Sequence, residues 1–246
     1  SLQAIAAWRW AMASRCEPHC HRLSVPSVHS PTLLIVAAIL AALVTGVLSA
    51  VWLFNRRIPG LRFWAQALFC ATVFCINLLL RDHVPLPLSV VLAQSSVALA
   101  AYLCLLGARE YMGRAPLGHG VALLALALLL GTALFFTLVK PNVQVRIALT
   151  GLVPGVLFIA AAHTLARGGF HKVPARYLFA ATVGVHGAFL LVRPLLFKLA
   201  APADGAQPET GMVAALSQFV VLESTLALVL VAFGALMLTN EFITNE

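Results

Sequence analysis

Charged and polar side chains inside long apolar runs are the residues of this sequence best placed to do chemistry. Glu223 is the one carboxylate in the run 214–238, and Arg193 and His186 lie seven residues apart in the run before it. Seven residues are two helical turns, so Arg193 and His186 share a face. An ionisable residue inside a membrane span is a functional-site candidate by default. We therefore predict an ion pair between Arg193 and Glu223, with His186 beneath it.

Two amide side chains lie at a similar predicted depth. Asn77 is near the end of the second apolar run, and Gln94 follows the start of the third. With the three ionisable residues they predict an outward-facing polar pocket among the second, third, sixth and seventh spans, which binds a small-molecule or lipid ligand. The alternative is a purely structural role, because polar side chains between membrane helices often serve as packing contacts.

A short segment near the start holds Cys16, His19, Cys20 and His21. Thiolate and imidazole groups this close together are potential metal ligands. A second ligand pair at zinc-finger spacing is missing, so we predict no metal site there. The alternative is an irregular polar leader, with a disulfide if it faces an oxidising compartment.

The sequence predicts no cofactor and no catalytic site of its own. A haem held by His163 and His186 is disfavoured because these residues are expected at different depths in the membrane. There is no glycine-rich phosphate loop, no His-Glu-x-x-His metal motif and no serine nucleophile elbow. The chain by itself is therefore not expected to be an enzyme.

The elements that must position these residues are membrane helices. The chain is 61% hydrophobic and only 10% charged, and its mean hydropathy is +0.97. Seven apolar runs approach or exceed the roughly 20 residues that span a bilayer as a helix. They cover residues 32–54, 61–80, 88–107, 120–139, 146–166, 177–198 and 214–238. The predicted fold is an all-α membrane protein with a bundle of seven transmembrane helices.

Basic residues between the runs predict the orientation, because cytoplasmic loops are enriched in Lys and Arg. The first, third and fifth connectors and their edges hold eight, and the other three hold five. The first set is Arg56, Arg57, Arg62, Arg109, Arg114, Arg167, Lys172 and Arg176, and the second is Arg81, Lys140, Arg146, Arg193 and Lys198. The N-terminus, with an interfacial or disordered leader over residues 1–31, is then outside. The C-terminus is cytoplasmic, and residues 239–246 begin a signalling helix that is cut short. The same placement explains the net charge of +8 without nucleic acid as a partner.

Three segments carry a resemblance to a known family. They are Asn-Arg-Arg-Ile-Pro-Gly-Leu-Arg at 55–62, Leu-Pro-Leu-Ser-Val-Val-Leu-Ala-Gln at 86–94, and Gly-Ala-Arg-Glu-Tyr-Met-Gly-Arg at 107–114. Together they resemble the membrane-integral N-terminal region of bacterial GGDEF-type diguanylate cyclases, over roughly residues 31–246. Gln94 stands where that family often has Asn, and the Gly-Gly-Asp-Glu-Phe motif is absent. The resemblance implies that a cyclase domain follows Glu246 in the full protein.

The expected function is a membrane sensory and dimerisation domain in the bacterial inner membrane. It would pass an extracytoplasmic or membrane signal to a cytoplasmic diguanylate cyclase domain, which makes cyclic di-GMP. The expected partners are membrane lipid, a second copy of the chain in a homodimer, and an unidentified small-molecule or lipid ligand. The alternative is a small secondary transporter or an integral subunit of a membrane complex.

Overall fold

The structure, a computed structural model, describes residues 30–115, 117–140, 142–167, 174–200 and 212–244. The regular structure in these ranges is entirely α-helical, as predicted. The seven helices are α1 (Ser30–Phe54), α2 (Leu61–Leu79), α3 (Leu86–Tyr111), α4 (His119–Leu138), α5 (Val143–Arg167), α6 (Pro174–Ala200) and α7 (Met212–Thr244). The predicted leader, including Cys16 and Cys20, lies outside the described residues.

Glycine and proline set the helix ends more than side-chain caps do. Gly60, with φ of 81°, precedes α2, and Pro85 precedes α3, whose second residue is Pro87. Two residues after Tyr111, the last residue of α3, Gly113 with φ of 63° completes a Schellman motif. In that motif the Arg114 and Gly113 amides donate to the Arg109 and Glu110 carbonyls at 2.8 and 3.0 Å. α3 therefore extends four residues past its predicted end.

Six of the seven helices are long and apolar enough to cross a membrane, the pattern of a multi-pass membrane protein. α4 differs, because its apolar part covers only Ala122–Leu138. The prediction of membrane helices is confirmed for six spans, and the seventh crossing stays a prediction. α7 also exceeds its predicted range at both ends, and it reaches Thr244 because neither Gly nor Pro follows Gly234.

The six long helices form a closed ring in the order α1, α2, α3, α5, α6 and α7, with α7 packing back on α1. α4 lies outside the ring against α3 and α5. It buries one narrow face, at Leu129, Ala133 and Thr137, while Leu124 and Leu128 are exposed. The four-residue spacing of the buried set is that of a single helix face. The helix with the shortest apolar stretch, Ala122–Leu138, is thus the peripheral one.

Two aromatic side chains fill one end of the ring. Trp64 of α2 and Phe179 of α6 are fully buried, with ring centroids 5.0 Å apart. Each presses on a glycine of a third helix. A Cβ at Gly107 of α3 would lie 2.5 Å from Nε1 of Trp64, and one at Gly234 of α7 would lie 2.8 Å from the Phe179 ring. These glycines provide the space that the aromatic rings occupy.

Glycines also bring α5 and α6 together, at Gly151 and Gly155 of α5 and Gly187 of α6. A Cβ at Gly151 would overlap the Leu190 carbonyl oxygen. Gly155 and Gly187 face each other, and a Cβ on either would lie 3.0 Å from the carbonyl oxygen of the other. Close backbone approach at small residues is the usual way in which membrane helices gain van der Waals contact.

We expect Gly151→Ala to lower the thermal unfolding midpoint of the detergent-purified protein. The added methyl group would meet the Leu190 backbone, and such overpacking costs about 1–3 kcal/mol. The control is Gly131→Ala on α4, where a Cβ meets nothing within 4 Å. Alanine favours helix over glycine, so the control is expected to be neutral or stabilising. Equal midpoints for the two variants would contradict the tight α5–α6 contact.

Candidate functional site

The central feature of the candidate site is a contact between His186 on α6 and Glu223 on α7. Nδ1 of His186 lies 3.0 Å from Oε1 and 3.3 Å from Oε2 of the Glu223 carboxylate. Each side chain is only 16% exposed. Phe158 of α5 stands edge-on to the imidazole, with ring centroids 5.1 Å apart. The pair therefore joins α6 to α7 in largely apolar surroundings.

The direction of this hydrogen bond depends on the tautomer of His186. A protonated Nδ1 donates to the carboxylate, and an unprotonated Nδ1 accepts from a protonated carboxyl group. In either state the two groups form a hydrogen bond, so neither is left without a partner away from water. Loss of one partner is costly because it leaves the other polar group buried and unsatisfied. Ser224 adds a weak contact, with its hydroxyl 3.5 Å from Oε2.

Arg193 does not occupy its predicted place. Among the described residues the ion-pair partner of Glu223 is His186, and Arg193 lies beyond ion-pair distance of that carboxylate. Seven residues along α6 separate His186 from Arg193 by about 10 Å, so Glu223 at the level of His186 does not reach both. The Arg193 guanidinium instead lies over the Phe197 ring, 5.6 Å from its centroid. It remains close enough to Glu223 for electrostatic attraction.

The predicted amides bond at other helix interfaces. Gln94 donates to the Thr150 hydroxyl at 2.6 Å and joins α3 to α5. Asn77 donates to the Ser89 carbonyl at 3.0 Å and joins α2 to the start of α3. Both are buried, and Oδ1 of Asn77 has no hydrogen-bond partner. Since α5 stands between α3 and α6 in the ring, Gln94 and His186 serve different interfaces.

The five predicted residues therefore form separate contacts rather than one common cluster. Their ligand-binding role stays a prediction, and the geometry of Gln94 and Asn77 suits the alternative of packing contacts. Two surface cavities, of about 460 and 220 Å³, lie elsewhere, beside the α1–α2 connector. None of the five residues lines either cavity.

Sequence reasoning missed a polar cluster at the connector end of the bundle. The Glu110 carboxylate accepts hydrogen bonds from the Gly60 amide at 3.0 Å and from Arg62 at 2.9 Å. It thereby fixes the start of α2 to the end of α3. Nearby, Tyr111 packs on Trp64 and lies within electrostatic range of a cation and an anion, Arg176 and Glu241. The signal available in the sequence was Glu110, which is three residues before Gly113 and is the one acidic residue between the third and fourth apolar runs.

The described residues hold no group of three His, Cys, Asp or Glu side chains that would bind a metal ion. Cys70, Cys75 and Cys104 are free thiols within the helices. The segment around Cys16 and Cys20 is outside the described ranges, so its prediction is not tested.

Comparison of the chain with models of protein families, with curated proteins and with solved structures finds no match. The resemblance to the membrane regions of diguanylate cyclases therefore stays a prediction.

A double-mutant cycle on His186→Ala and Glu223→Ala tests the central pair. We expect a coupling energy of about 1–3 kcal/mol in unfolding experiments on the solubilised protein, because the two groups share one buried hydrogen bond. The matched control is the cycle on Arg62 and Glu110, whose side chains are 54% and 33% exposed. Exposed pairs contribute at most about 1 kcal/mol. A coupling for His186 and Glu223 no larger than this control would show that the pair is incidental.

Proposed function

We propose that this chain is the sensory and dimerisation domain of a bacterial inner-membrane diguanylate cyclase. A signal that acts at the His186–Glu223 pair, from outside the cell or from the membrane, shifts α7. The movement passes along α7 to a cytoplasmic cyclase domain and sets how two such domains meet. The domain performs no catalysis itself.

The observation that carries this proposal is the length and packing of α7. It is one continuous helix of 33 residues, about 50 Å long, whereas the hydrocarbon core of a bilayer is about 30 Å thick. Glu223 lies in its first half, and Leu238 and Thr239 are buried near its other end. Over this length α7 packs on α6, α1 and α2. A single rigid element thus joins the polar pair to the opposite end of the bundle.

Population shift gives the physical basis for the relay. A ligand or a proton biases two helix arrangements only if it interacts differently with each of them. In this proposal the His186–Glu223 pair meets the requirement, because a group that competes for either partner breaks a contact between α6 and α7. Arg193, close to the same carboxylate, is the natural competitor within the chain. An anionic ligand would be attracted by Arg193 and repelled by Glu223.

The orientation in this proposal follows from the eight basic residues against five in the alternate connectors. We expect a green fluorescent protein fused after Thr244 to fluoresce, and alkaline phosphatase fused there to be inactive, because the end of α7 is cytoplasmic. The matched control is the same pair of fusions at Arg81, where the opposite result is expected. Active phosphatase after Thr244 would reverse the proposed topology.

The effector is tested by reading the natural coding sequence past Glu246 and by measuring cyclic di-GMP in cells that express the full protein. We expect Glu223→Gln to change the product level about 5-fold or more, because couplings between sites of 1–3 kcal/mol correspond to factors of this size and above. The control is Thr225→Ala on the same helix, whose hydroxyl bonds only its own backbone at 2.7 Å.

Each failure has a separate meaning. A coding sequence without a cyclase domain would remove the effector and favour the transporter or the complex subunit, to be tested by flux in proteoliposomes and by copurification. A cyclase whose output is unchanged by Glu223→Gln, with normal membrane insertion, would remove the input site but leave the effector in place.

A further inference from the structure

A groove of about 460 Å³ opens where α1 and α7 both end. This end of the helix bundle is the one opposite the His186–Glu223 pair. We call this cavity the basic groove. Its walls are Leu53, Phe54, Phe242 and Ile243, and its rim carries Arg56 and Arg57 of the α1–α2 connector. Apolar walls from two membrane helices thus meet a cationic rim at the end of the bundle.

The two rim arginines are not neutralised within the part of the chain that the structure describes. Both are exposed, and neither has a hydrogen bond or an ion pair there. Both also line the neighbouring cavity, where the carboxylate, Glu110, pairs with Arg62 at 2.9 Å. The basic groove itself has no carboxylate in its lining. Arginine binds phosphate well because its planar fork donates two parallel hydrogen bonds.

Three of the four apolar wall residues are exposed, and Phe242 is half-buried. Phe54 is 87% exposed, Leu53 53% and Ile243 50%. They continue an exposed apolar stripe on α1 that includes Leu43 and Val47. A soluble anion makes no use of such walls, whereas a phospholipid joins a phosphate to acyl chains and so uses both the rim and the walls.

We propose that the basic groove binds the headgroup of an anionic phospholipid. Arg56 and Arg57 hold the phosphate, and the acyl chains lie along the exposed face of α1. Juxtamembrane arginines attract anionic headgroups in general, and a groove between helices gives the headgroup a defined seat. The proposal depends on neither the orientation nor the effector domain, because the connector lies at a membrane surface in either topology.

A lipid bound in this groove also contacts α7. Phe242 and Ile243 belong to α7, while the arginines follow α1, so one bound molecule bridges the ends of both helices. The occupancy of the basic groove would then bear on the position of α7 independently of the His186–Glu223 pair.

Native mass spectrometry of the detergent-purified protein tests the proposal, with phosphatidylglycerol and phosphatidylcholine as probes. We expect tighter binding of phosphatidylglycerol, and a roughly 30-fold loss of this affinity in the double variant Arg56→Gln/Arg57→Gln, which removes two juxtamembrane charges. The charge-retaining variant Arg56→Lys/Arg57→Lys keeps most of the preference. The matched control, Arg81→Gln, changes an exposed arginine in the α2–α3 connector and leaves binding unchanged.

A second arm separates a lipid from a free anion. Phe54→Ser removes an apolar wall that is exposed, so the fold is retained, and we expect weaker phosphatidylglycerol binding. Inorganic phosphate at millimolar concentration is expected not to displace the lipid. Displacement by phosphate together with normal binding in Phe54→Ser would assign the groove to a soluble anion and overturn the proposal. Undiminished phosphatidylglycerol binding in the double glutamine variant would also overturn it and leave the arginines as topology signals. If that variant fails to insert, Phe54→Ser decides the matter alone.

Discussion

The ring of six helices depends on how its interior is filled. Trp64 and Phe179 reach across it from α2 and α6, and these two helices have no backbone contact of their own. Gly107 and Gly234 make room for them on α3 and α7. Without water or a hydrophobic driving force between helices, close packing of this kind is a main source of cohesion in a bilayer. Two aromatic side chains and the two glycines that face them thus hold four helices together.

The bilayer also constrains polar groups, because a polar group away from water needs a hydrogen-bond partner inside the protein. The Thr45 and Thr72 hydroxyls bond each other at 2.9 Å between α1 and α2. Most other hydroxyls return to the carbonyl one turn earlier in their own helix, as Thr137 and Thr239 do. Such bonds satisfy a group without joining helices. The contact of His186 with Glu223 differs because both partners are ionisable, belong to different helices and, unlike Arg62 and Glu110, are largely buried.

Much of the architecture could be predicted from hydropathy alone, because a long apolar run in lipid has no alternative to a helix. Hydropathy alone does not predict where α3 ends. That prediction also requires recognising that Gly113 completes a Schellman motif. The order of helices in the ring was not predictable, since every long helix presents apolar residues on all sides. The sequence predicts that Glu223 pairs with Arg193, with His186 beneath, and the structure pairs it with His186 instead. The choice of His186 depends on the relative shift of α6 and α7, which no sequence spacing determines.

The space that Gly234 leaves for the Phe179 ring has a consequence for how α7 can move. Gly234 follows Glu223 by eleven residues, or about three turns, so both lie on nearly the same side of the helix, toward α6. A turn of α7 about its axis by one residue would present Phe233 or Ala235 to the Phe179 ring where there is space only for hydrogen. Axial rotation is therefore sterically blocked at the far end while the near end holds a breakable polar contact. A shift of α7 relative to α6 that keeps Gly234 against Phe179 avoids this clash, whereas a rotation of α7 does not.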